Sequence, residues 1–132
     1  MPPRWHFDAP RLAAFLTALP EEYRYTLELR DQTWINAKGL ELLARLGVAF
    51  CIYELAGYQS PREVTADFVY IRLHGPGGPY QGCYDDGTLM AWAEAIAAWS
   101  QQGREVFCYF DNDEAGYATR NALHLQDMLL KG

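Results

Sequence analysis

The chain has 132 residues, the length of one domain, and half of them are hydrophobic, 14% aromatic and 21% charged. That balance supports a buried core and excludes a disordered or fibrous chain. Seventeen acidic residues against eleven basic ones give a net charge of −6, which argues against a protein that grips nucleic-acid phosphates. No run approaches the ~18 apolar residues of a membrane span, and the opening Met1-Pro2-Pro3-Arg4-Trp5-His6 lacks the apolar stretch of a secretory signal. Cys51, Cys83 and Cys108 form no C-x-x-C pair, so a reduced cytoplasmic setting is expected.

Asp8-Ala9-Pro10 reads as a helix start, with an N-cap acid and a proline whose missing N–H has no partner in the first turn. Leu12, Phe15, Leu16 and Leu19 then recur at helical spacing until Pro20. Tyr23 to Arg30 alternates with period two and predicts a strand, with Thr26, Glu28 and Arg30 on one face. A second helix is predicted from Asn36 to Leu46, closed by Gly47 at the left-handed C-terminal position. The apolar run Val48 to Tyr53 predicts a strand buried on both faces. Gly57 to Thr65 reads as a loop with room for a short helical turn. Phe68 to Leu73 is the third predicted strand, followed by the glycine- and proline-rich His74 to Pro79.

Asp85 or Asp86 caps a long helix with the stripe Leu89, Trp92, Ala93, Ile96 and Trp99, ended by Gly103. Val106 to Phe110 is the fourth strand. Asn112-Asp113 is expected to cap the last helix, which turns Ala118, Ala122, Leu125 and Leu129 inward. The resulting order, α-β-α-β-loop-β-α-β-α, predicts one α/β domain with a parallel four-stranded sheet and right-handed crossovers.

Polar residues gather toward the carboxyl ends of these strands, where parallel α/β sheets place their ligand sites. Glu28 and Arg30 lie on the first strand, Arg72 and His74 at the end of the third, and Tyr109, Asp111 and Asn112 at the end of the fourth. Glu28 and Arg72 fit either an internal ion pair that closes the core or a pair within a site. His74 fits a structural or a proton-transferring histidine. Arg30 and His74, two residues further along the same faces, are placed nearer the open end, so that Arg72 is expected to carry stability and His74 to carry ligand binding. The Gly75 to Gly82 loop could offer backbone N–H groups to an anion, but it lacks the P-loop lysine and the dinucleotide spacing, and fits a proline-stiffened loop equally. Asp111, Asn112 and Asp113 read as capping residues rather than metal ligands.

The segment Thr65-Ala66-Asp67-Phe68-Val69-Tyr70-Ile71-Arg72-Leu73-His74-Gly75 resembles the signature of the YecE-like family, a domain of unknown function. The resemblance extends through Tyr109-Phe110-Asp111-Asn112-Asp113, Gly116-Tyr117-Ala118, Leu27-Glu28-Leu29-Arg30 with Trp34, and Pro2-Pro3-Arg4-Trp5. It implies a TIM-type barrel in proteins of about twice this length, and places this chain as the carboxyl-terminal half, with roughly four strands of eight. The family's Asn-Asn before the last helix is Asp111-Asn112 here, and its histidine after Arg30 is Asp31.

A half-barrel exposes two edges, so a homodimer that closes it is expected, the alternative being a poorly folded fragment. Functionally, two classes stand side by side. In an enzyme, His74 or Glu28 would move protons while Arg30, Arg72, Gly75, Tyr109 and Asn112 hold a small anionic ligand. In a binding or structural protein, the same residues would hold the anion without turnover, or only order the barrel. Nothing in the sequence names a cofactor, a metal or a reaction, and neither nucleic acid nor membrane is expected as a partner.

Overall fold

The computed structural model describes residues 8–29, 32–77, 82–112 and 115–131. Helix α1 (Ala9–Thr17) begins at Asp8, whose carboxylate accepts the Arg11 N–H at 3.2 Å. Helix α2 (Ala37–Leu46) begins at Asn36, whose side-chain oxygen accepts the Gly39 N–H at 2.8 Å, and ends at Gly47 with φ +69°. Helix α3 (Asp86–Gln101) begins at Asp85, which accepts the Thr88 N–H at 2.7 Å. The Thr88 backbone N–H first, and its side chain second, hold the Asp85 carboxyl below its usual pKa. Each start uses a short polar side chain to satisfy an N–H that the helix itself leaves open.

Strands β1 (Thr26–Leu27), β2 (Ala49–Leu55), β4 (Phe68–Leu73) and β5 (Glu105–Phe110) form a parallel sheet in the order β1-β2-β4-β5. The register aligns Cys51 with Tyr70 and Tyr70 with Phe107, and two residues further Tyr53 with Arg72 and Arg72 with Tyr109. Helix α4 (Tyr117–Lys131) packs back along β5.

Three local expectations are corrected. The first strand is paired only over Thr26–Leu27, far short of Tyr23 to Arg30, and Arg30 lies outside the described residues. The predicted 57–65 loop contains β3 (Tyr58–Gln59), which turns back against Glu54–Leu55. The turn that makes this hairpin holds Ala56 and Gly57 at positive φ, a geometry that the sequence marks only through its glycine. Helix α4 does not start from Asn112: Ala115 and Gly116, both at positive φ, intervene before Tyr117. Asp113, the other expected cap, lies outside the described residues.

The core explains the sequence periodicity. Phe50 and Ile52 of β2, Val69, Ile71 and Leu73 of β4, and partly buried Val106, Cys108 and Phe110 of β5 share one sheet face. Leu12 and Leu16 of α1, Leu42 and Leu43 of α2, Leu89, Trp92 and Ile96 of α3, and Leu125 of α4 pack on that face. The alternate residues form a second face that these helices do not cover: Thr26 and Glu28, Cys51 and Tyr53, Tyr70 and Arg72, Phe107 and Tyr109. Parallel sheets usually bury both faces. Here the helical layer sits on one.

Candidate functional site

Glu28, Arg72, His74 and Asp111 come together where the strands end. Glu28 follows β1, His74 follows β4, and Asp111 follows β5. The main chain fixes their level: the His74 N–H bonds the Glu54 carbonyl at 2.8 Å, and the Asp111 N–H bonds the Leu73 carbonyl at 2.9 Å. Glu28 and Arg72 thus share a face, as the alternation predicts, but their principal partners differ from the expected pair.

His74 Nε2 lies 2.7 Å from Glu28 Oε1, and its Nδ1 lies 3.4 Å from Asp111 Oδ2. Arg72 donates to that same Asp111 oxygen from Nε at 3.0 Å and Nη2 at 2.5 Å, while its Nη1 stands 3.9 Å from Glu28 Oε2. The result is a cluster in which each carboxylate faces both the imidazole and the guanidinium. Burial alone would lower the arginine's affinity for its proton, but the Asp111 bonds and the charges of Asp111 and Glu28 more than offset it.

Exposure divides the cluster. The His74 side chain is fully buried, Glu28 is 12% exposed, and Arg72 is 35% exposed. Tyr53 covers the histidine, with its ring edge-on at 6.2 Å and its hydroxyl 3.4 Å from the Leu29 carbonyl. The expectation that Arg72 is the interior group and His74 faces a ligand is therefore reversed. Cys51, also buried, places its Sγ 3.8 Å from Glu28 Oε1.

The remaining predicted positions separate. Tyr109 is half-exposed and stacks obliquely on Tyr70 at 5.3 Å. Burial and the neighbouring Tyr109 keep the Tyr70 hydroxyl protonated above its usual range. The Gly75 N–H is already bonded to the Tyr84 hydroxyl at 2.9 Å, so it does not point at the open face. Asn112 is fully buried, and its amide donates to the Gly82 carbonyl and to Asn121 of α4, each at 2.8 Å. Gly82 closes against Pro76 and Gly77, where a Cβ would meet the Gly77 nitrogen at 2.9 Å. That contact favours the proline-stiffened reading of the loop, whose residues 78–81 lie outside the described set.

Asp111 is the member of the cluster that the sequence hides. Its Asp-Asn context looks like a helix cap, and only its alignment one residue beyond β5 puts it beside Arg72. At the other end of the same face, Arg24 lies over the Phe68 ring at 4.2 Å and bonds Glu105 at 2.7 Å. Between the two charged ends runs a shallow groove of about 200 Å³, lined by Arg24, Thr26, Phe68, Tyr70, Phe107 and Tyr109. A larger cleft of about 330 Å³ between α1 and α2 lies in the helical layer, away from the strand ends. Among the described residues, no group of three or more His, Cys, Asp or Glu side chains is arranged to hold a metal ion. Among the described residues, no helix is long and apolar enough to cross a membrane.

Chemically, the cluster sets a buried imidazole against the Glu28 carboxylate and a guanidinium against that of Asp111. It also presents one guanidinium edge and a tyrosine face outward. The solved structures that it resembles are DUF72 family proteins. One from Thermotoga maritima superposes with a TM-score of 0.88 at 23% identity, covering 98% of this chain and 55% of that one. Two structures of an Enterococcus faecalis member give TM-scores of 0.86 and 0.73 at 18% and 21% identity, covering 56% and 58% of their chains. The chain thus spans little more than half the length of the solved proteins it matches, and the likeness establishes the α/β fold. No curated protein matches the sequence. The family model described as a protein of unknown function, DUF72, matches residues 1–132, so the chain belongs to the DUF72 family, the same family as the YecE-like one.

Proposed function

We infer that the chain forms half of a (β/α)8-type barrel and binds a small anionic molecule at the carboxyl ends of its strands. The observation that carries this reading is the Glu28–His74–Asp111–Arg72 cluster, placed on three strand ends with Arg72 and Asp111 its more exposed members. In parallel barrels those ends are where ligands bind. Arg72 Nη1 is the donor that the close bonds to Asp111 leave over, so it is the atom that meets a ligand oxygen. Two carboxylates beside it limit the charge that can approach, which favours a singly charged group such as a carboxylate over a phosphate dianion. Tyr109 supplies a flat, half-exposed wall for the ligand body.

In this role His74 is a positioning residue. It fixes Glu28 without touching the ligand itself. A second reading has support from the same histidine: a fully buried imidazole between two acids also serves as a tie between strand ends, with no ligand.

Thermal shift with a panel of small carboxylates, phosphate monoesters and neutral analogues separates the two, because a ligand that binds only the folded state raises the melting temperature. The site reading expects monocarboxylates to raise it in the wild type and to lose that effect in Arg72→Gln. A panel without any shift leaves the cluster as a structural tie.

A further inference from the structure

The two faces of the sheet are built from different chemistry. On the helical side β4 presents Val69, Ile71 and Leu73, all buried and aliphatic. On the other side β4 and β5 present rings, with Phe68, Phe107, Tyr70 and Tyr109 leading toward the carboxyl ends. Phe68 meets Phe107 edge-on at 6.1 Å, Phe107 meets Tyr70 at 6.4 Å, and Tyr70 meets Tyr109 at 5.3 Å. At such separations aromatic rings attract each other beyond simple burial. The strip is an ordered ladder of rings, and it ends on half-exposed Tyr109. At its start the Arg24 guanidinium lies over both phenylalanines, at 4.2 and 5.6 Å, and closes that end. Its finish lies beside Arg72, the register partner of Tyr109. Two features separate this strip from a surface made to pack a further apolar layer. Among the described residues, nothing bonds the hydroxyl of Tyr70 or of Tyr109, and both would need partners beneath such a layer. The groove over the ladder has about 200 Å³, and an apolar cavity of ~150 Å³ is enough to take up benzene. An aromatic wall with a few polar groups at one end is the common make-up of a small-molecule site.

We propose that the ligand held at Arg72 is an aromatic monocarboxylate, with its ring laid on Tyr70 and Tyr109 and its carboxylate on Arg72 Nη1. The proposal rests on the anion-binding reading above. It adds the body of the ligand to a site whose charge alone would accept any small carboxylate. Tyr70 precedes Arg72 by two residues on β4, a step of about 6.6 Å along the strand. A ring over the Tyr70–Tyr109 pair, with its carboxylate attached directly or through one carbon, covers that step. It also continues the ladder, offset or edge-on against the exposed side of Tyr109, where a saturated ring buries similar area without the quadrupole attraction. Tyr70 and Tyr109 are thereby the residues that choose the ligand, while Arg72 sets its charge and orientation.

The test is calorimetric titration of the wild-type chain with benzoate, cyclohexanecarboxylate, acetate and benzamide. The first two share charge and ring size, so their ratio isolates the aromatic contribution. Benzoate is expected to bind about two- to tenfold more tightly than cyclohexanecarboxylate, the gain that one aromatic pair supplies. Acetate is expected to be weaker than both, and benzamide not to bind. Tyr109→Leu should bring benzoate down to the level of cyclohexanecarboxylate, while Tyr109→Phe keeps the preference. The half-exposed position lets both variants fold, which circular dichroism checks. Cyclohexanecarboxylate or acetate binding the wild type as tightly as benzoate, or a preference that survives in Tyr109→Leu, overturns this proposal and leaves the anion site standing. Benzamide binding as tightly as benzoate, benzoate binding unchanged in Arg72→Gln, or no binding of any probe at millimolar concentration overturns the anion site itself, and the proposal with it.

Discussion

Replacing His74 by alanine should cost more than replacing Arg72, although arginine carries the permanent charge. The imidazole is fully buried and holds Glu28 at 2.7 Å. Its removal takes that bond from the mostly buried Glu28 carboxylate, a loss of about 1–3 kcal/mol. The vacated volume adds roughly 1–2 kcal/mol, since surrounding side chains relax only in part. The sum, about 2–5 kcal/mol, overlaps the ~3–5 kcal/mol seen when one partner of a buried ion pair is deleted. Arg72 makes two bonds to Asp111, but its side chain is 35% exposed and that of Asp111 27%, so water can replace much of what is lost. About 1–2 kcal/mol is expected for Arg72→Ala after that screening. Urea unfolding of both variants at one protein concentration, with a Glu28→Ala/His74→Ala cycle, measures the difference. An Arg72→Ala that costs more than His74→Ala, or a cycle without coupling between Glu28 and His74, refutes this account of the cluster.

Glu54 lies on the helical side of β2, 3% exposed, and accepts from Trp92 at 3.5 Å and Gln59 at 3.2 Å. Burial raises its pKa above 4.5 despite those bonds, so its contribution to stability is fullest below the unfolded value and is lost as pH rises through the folded one. Glu54→Gln keeps an acceptor for the indole and should flatten this dependence, so melting curves of the two proteins that stay parallel from pH 4 upward would contradict it. Asn121, 2% exposed, accepts from the Tyr84 N–H at 3.1 Å and from Asn112 at 2.8 Å. Asn121→Ala strands both donors and should cost about 2–4 kcal/mol in urea unfolding, with less than about 1 kcal/mol refuting the role.

The parts of the fold that could be read from the sequence are those decided within a few residues. Asp8, Asn36 and Asp85 each cap the helix that follows, and Gly47 takes the left-handed turn, because the side chain or backbone involved acts on its own neighbours. The parallel order also followed from alternating periods. Asn112 has the same chemistry as those caps, yet its amide is drawn to Gly82 and Asn121, a choice made by tertiary packing. The ligand-end cluster shows the same boundary. Alternation put Glu28, Arg72 and His74 on shared faces, but which acid meets which base depends on strand register and sheet curl. Asp111 settled that question from a position that looked like a turn.

The two ends of the open sheet face are held unequally. At the carboxyl end the tie is a buried imidazole between acids; at the amino end it is Arg24 reaching Glu105, with side chains 49% and 66% exposed. Dissolved ions screen the second and scarcely touch the first. Rising ionic strength therefore slackens the sheet from one end, like a clasp released while the hinge stays shut, and the ligand-bearing rim is the last part to feel it.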